Sequence, residues 1–72
     1  MIVVFKTDVA SKRDAKLILS HYRIFLPDWK INFDLDDCDK ILRIDSGKEV
    51  VQVEQIKNTL TKFGCTAELL TN

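Results

Sequence analysis

Seventy-two residues, 46% of them hydrophobic, are expected to form one ordered domain over residues 1–72, which excludes a second domain and a disordered chain. Eleven basic residues balance eleven acidic ones. A net charge of zero gives no long-range pull toward nucleic acid, and no apolar run nears the ~20 residues that span a bilayer, so neither a nucleic acid nor a membrane is an expected partner.

The first residues, MIVVFKTD, are too short for a secretory leader and meet an acid directly, so a cytoplasmic location is expected. Residues 2–7, IVVFKT, are β-branched and aromatic and predict a strand. The pattern changes at Ser11: Ala15, Ile18, Tyr22 and Phe25 recur at spacings of three and four, which predicts an amphipathic helix ending at Pro27. In residues 29–35, Trp29, Ile31 and Phe33 alternate with Lys30, Asn32 and Asp34, a half-buried strand. The stretch 36–40, DDCDK, is turn chemistry, and 41–45, ILRID, is a strand with Leu42 and Ile44 on one face. A second helix carries Val53, Ile56, Leu60 and Phe63 on one side and ends near Gly64, and 65–70, CTAELL, is the last strand.

Strand, helix, strand, strand, helix, strand is the order of two split βαβ units. With right-handed crossovers it gives an α+β, ferredoxin-like βαββαβ sandwich: a four-stranded antiparallel sheet, in the order fourth, first, third, second, with two helices on one face. The expected core is Val3, Phe5, Ile31, Phe33, Leu42 and Ile44 against the two helix stripes. The topology places the 8–11 turn, the 35–40 hairpin and the 63–66 turn at one end, where a site would lie.

At that end, Ser11 is positioned to cap the first helix, with Asp14 as the acidic half of a capping box and Asp8 as a rival cap. Cys65 is expected at the same end, as a small buried hydrophobe. Cys38 lies in the acidic hairpin, and the sheet order keeps it too far from Cys65 for a disulfide. Asp34, Asp36, Asp37 and Asp39 make an acidic turn that lacks the glycine and terminal glutamate of a calcium loop. His21, the one histidine, falls late in the first helix, far from these groups. Lys12 and Arg13 are expected to be solvated. No nucleophile triad, phosphate-binding glycine loop or zinc signature is present, so no catalytic residue, no cofactor and no enzyme activity are expected.

The open sheet face would carry Ile2, Val4 and Lys6 from the first strand and Ile41, Arg43 and Asp45 from the third. It has no aromatic on which a base could stack, which argues against RNA. Ile2, Val4 and Ile41, with Leu70, would form a small apolar patch suited to a protein partner or to self-association.

Taken together, FKTDV in the first strand and turn, DKILRID in the third strand and KFGCTAELL at the last helix exit resemble the heavy-metal-associated domain, the fold of small copper chaperones. The resemblance covers nearly the whole chain. The family's two metal-binding cysteines, two residues apart, would fall at Ser11 and Asp14, and this chain has neither. A soft cation wants thiolates; a hydroxyl and one carboxylate do not replace them. The resemblance therefore implies a degenerate metal site: a non-catalytic protein-interaction or regulatory module with no metal ligands. The alternative is atypical metal binding or transfer through Cys65, assisted by Asp14 or Cys38.

Overall fold

The computed structural model describes residues 1–70. The elements follow in the expected order: β1 (Ile2–Thr7), α1 (Lys12–Phe25), β2 (Lys30–Asp34), β3 (Ile41–Asp45), α2 (Val53–Lys62) and β4 (Ala67–Leu70). One four-stranded sheet has the order β2-β3-β1-β4, every neighbour antiparallel. This is the α+β, ferredoxin-like arrangement.

Strand alternation decides which side is buried. Val3 and Phe5 from β1 face Ile44 and Leu42 of β3 across the ladder. All four lie in one buried cluster with Ala15, Ile18 and Tyr22 of α1 and Ile56 and Leu60 of α2, so both helices cover the same face. Two expected core members, Ile31 and Phe33, are only half-buried, because β2 is an edge strand with no neighbour on its far side. Val9 and Val51, from the segments between strand and helix, complete the core.

The helix stripes need one correction. Phe25 keeps the spacing of Ala15, Ile18 and Tyr22, yet it is 67% exposed. It occupies the last position of α1, and the half-buried Leu26, the C-cap, packs on the core instead. The Leu26 N–H donates to the Tyr22 carbonyl, and the chain then turns through Pro27, with the Trp29 N–H donating to the Leu26 carbonyl.

Two strand limits also differ from expectation. β2 spans Lys30–Asp34, one residue shorter at each end, and β4 begins at Ala67, leaving Cys65 and Thr66 in the connection. The cause at β4 is the helix exit. Gly64 has φ +76°, its N–H donates to the Thr61 carbonyl, and the Cys65 N–H reaches back to the Leu60 carbonyl. These two bonds form a Schellman motif, with Cys65 and Leu60 as its apolar pair. The Cys65 N–H is thereby committed to α2 and cannot join the sheet.

Candidate functional site

The turns expected to converge at one end of the sheet do so through specific bonds. Thr7 is buried at the end of β1; its hydroxyl donates to the Lys40 carbonyl and accepts from the Val9 N–H, and its own N–H donates to the Asp39 carbonyl. This holds the β2–β3 hairpin against the β1–α1 turn. On the other side, the Asp8 carboxylate accepts from the Thr66 N–H at 2.7 Å, tying that turn to the start of β4. Asp8 is therefore not the helix cap.

Ser11 is the cap. It has extended backbone angles, and its hydroxyl accepts from the Asp14 N–H at 3.0 Å. Among the described residues only this half of a capping box forms. Asp14 is half-buried in the first turn, where its charge favours the positive end of the helix.

Cys65 completes the corner. It is 7% exposed, and its thiol points at the Phe63 carbonyl at 3.7 Å. Burial pushes the thiol pKa up, and the negative charges of Asp8 and Asp14 push it the same way. A site that prepares a thiolate for a soft metal needs the opposite electrostatics, a positive neighbourhood that lowers the pKa. The corner thus joins the turn that holds Ser11 and Asp14 to the connection that holds Cys65, through the Asp8–Thr66 bond. It gives the sulfur a small apolar place and the serine a backbone partner.

Cys38 is exposed in the hairpin and is not paired with Cys65. Asp37, Cys38 and Asp39 offer ligand atoms within 4.8 Å of one another. The Asp37 carboxylate already accepts from the Asp39 N–H at 2.8 Å, a local turn bond. Asp39 also pairs with Lys6 at 3.7 Å. His21 packs against Phe25, with ring centroids 4.6 Å apart, and meets Tyr22 and Phe63 edge-on. It is half-buried, and its contact with Phe63 brings it to the helix exit that precedes Cys65, closer to the corner than its place late in α1 leads one to expect.

The open sheet face differs from expectation at one residue. Ile2 is 63% exposed and Val4 and Leu70 are half-buried, but Ile41 is buried at 9%. β3 is a central strand, with Asp34 directly across from Ile41 on β2. One step beyond the Phe5–Leu42 pair, Lys6 falls beside Ile41 and leans toward Asp39. The three-residue patch of Ile2, Val4 and Ile41 is therefore broken. Besides Ile2, the exposed large apolar side chains are Leu17, Ile24 and Phe25 on α1, Val50 in the β3–α2 connection, and Met1. The sequence signal for Leu17 and Ile24 was their separation by seven residues on α1, off the core stripe, whereas Phe25 keeps the core spacing.

An open groove of about 350 Å³ runs between α1 and β2, with Lys12 and Lys16 on one wall and Asp34 and Asp36 on the other. Its lining holds no cysteine, histidine or hydroxyl side chain. No helix among the described residues is long and apolar enough to cross a membrane.

Comparison of the chain with family models, with curated proteins and with solved structures returns no match.

Proposed function

We propose that this chain is a non-catalytic, cytoplasmic protein-interaction domain that resembles heavy-metal-associated domains and lacks their metal chemistry. The observation that carries the reading is the state of the corner. The Ser11 hydroxyl is engaged by the Asp14 N–H, and burial raises the Cys65 thiol pKa, with the Asp8 and Asp14 charges acting in the same direction. Such a corner starts a helix and fastens β4; it offers no pair of thiolates. The exposed apolar side chains of α1 supply what an interaction domain needs, a surface that water disfavours.

The test is a titration of the fully reduced protein with copper(I) against a competing chelator. The interaction reading expects the chelator to keep the metal. A second reading, metal transfer anchored on Cys65 with Asp14 or Cys38, draws on the proximity of Asp14 to Cys65 and on the clustering of Cys38 with Asp37 and Asp39. A tight one-to-one complex lost on Cys65→Ser would establish that reading and end the first.

A further inference from the structure

β2 lies at the edge of the sheet, and its outer side is unguarded. Edge strands are commonly blunted by proline, by bulges or by inward-pointing charges. β2 has no proline, no glycine and no residue at positive φ, and its core-facing residues are Ile31 and Phe33. The ladder fixes where its backbone groups point. The Ser46 N–H donates to the Met1 carbonyl, one step beyond the Ile2–Asp45 pair. Hydrogen-bonded pairs recur at every second residue. Ile44 and Leu42 therefore turn their backbone groups toward β1, and Asp45, Arg43 and Ile41 turn theirs toward Lys30, Asn32 and Asp34 of β2. That leaves the N–H and C=O groups of Ile31 and Phe33 aimed away from the sheet, where β2 has no neighbour. Another extended strand is what matches such a row of groups.

We propose that this strand is β2 of a second copy. The two pair antiparallel about a two-fold axis at Asn32 and join two four-stranded sheets into one. This rests on the reading of the chain as an interaction domain and names its partner. An isologous contact requires a self-complementary surface, and KINFD supplies one. Asn32 meets Asn32, and Ile31 of each copy exchanges both backbone bonds with Phe33 of the other. These two side chains are half-buried in one copy, and across the axis they form a β-branched–aromatic pair. Lys30 meets Asp34. Both are exposed, and the ion pair found among the described residues, Lys6–Asp39, uses neither. Lys30 then stands between Asp45 of its own β3 and Asp34 of the second copy. Centring the pairing on Ile31 would set Lys30 against Asn32, and centring it on Phe33 would carry Lys30 past the end of the strand. The Asn32 register alone matches both charges within β2.

The charges beside the strand agree with this register. Near Lys30, the cleft between α1 and β2 also holds Arg23 and has no carboxylate in its lining, and the axis brings Asp34 of the second copy to that end. At the other end, Lys12 and Lys16 share the groove with Asp34 and Asp36 of their own chain. Five residues of strand span about 17 Å, and their contact is smaller than the ~800 Å² per partner of a tight interface. The dimer is accordingly weak and depends on concentration.

Sedimentation equilibrium of the reduced protein, from roughly 10 μM to 1 mM, tests this together with amide hydrogen exchange at both limits. The average mass is expected to rise from 8.3 kDa toward twice that value. The Ile31 and Phe33 amides are expected to exchange freely when dilute and to slow as the dimer fills. Asp34→Lys sets like charges against Lys30 at both ends of the pairing and is expected to weaken association about tenfold, with an unchanged circular dichroism spectrum. Adding Lys30→Asp to that variant is expected to restore association. A monomer at every concentration, a dimer whose Ile31 and Phe33 amides stay unprotected, or no restoration by the charge swap would each overturn the proposal. A monomer that leaves copper(I) to the chelator overturns the self-partner alone and keeps the interaction reading. Tight copper(I) binding through Cys65 overturns the reading on which the proposal rests.

Discussion

The carboxylate of Asp8 and the backbone N–H of Thr66, 58 residues apart in sequence, meet at 2.7 Å. This bond joins the β1–α1 turn to the last connection and holds together the corner that contains Ser11, Asp14 and Cys65. Its acceptor is charged and exposed, so water competes with it. Asp8→Ala should lower stability by about 1 kcal/mol, read from the midpoint of a urea transition. Asp8→Asn, which keeps an acceptor oxygen, should lose less.

The two helix ends at this corner should respond separately. Ser11→Ala removes the acceptor for the Asp14 N–H and should cost about 1 kcal/mol, while Ser11→Asp should keep most of it. Gly64 sits at φ +76° with open space where a Cβ would be, so Gly64→Ala meets no clash and should cost about 1 kcal/mol from the backbone alone. Gly64→Asn should cost less, because asparagine tolerates the left-handed region better. Denaturant midpoints of the three variants check the ranking.

Much of this architecture is written in local pattern. The alternation of Val3 with Phe5 and of Leu42 with Ile44 marks the buried face, Ser11 marks a helix start and Gly64 a helix end. These are short-range signals, fixed by pleat and cap geometry. Periodicity misleads at Phe25, where the helix outruns the core beneath it, and at Ile41, where a central strand's neighbours bury a side chain on the open face. Val9 and Val51 lie in connections, where no period exists to assign them a side. The Asp8–Thr66 and Thr7–Lys40 bonds join distant segments, and only the assembled sheet brings them together. For the candidate site, the capping role of Ser11 and the burial of Cys65 were legible as local chemistry. The exposed stripe on α1 was present in the spacing but overshadowed by the stronger core stripe beside it.

Tyr22 makes stability depend on alkaline pH. Its phenol oxygen is buried without a hydrogen-bond partner, and the nearby Thr59 hydroxyl donates instead to the Gln55 carbonyl. Burial raises the Tyr22 pKa to about 12. The folded value lies above the unfolded value of about 10. The stabilisation is therefore fully present below pH 10 and is lost as pH rises through 12, amounting to about 2 kcal/mol at most. Tyr22→Phe removes an unpaired buried hydroxyl. It should leave stability at neutral pH equal or higher and flatten the fall above pH 10, as followed by thermal melts across that range.

The protonation of Cys65 reports on the corner most directly. In a Cys38→Ser variant only one thiol remains, and its ultraviolet thiolate absorbance can be followed against pH in the folded protein. The account predicts that the thiolate appears above the ordinary cysteine range, because burial and the Asp8 and Asp14 carboxylates disfavour the anion. The apparent pKa should fall toward the ordinary value when Asp8 and Asp14 are both made asparagine. A thiolate already formed at neutral pH would contradict the account, since it would mean the corner stabilises the anionic sulfur that a soft metal seeks.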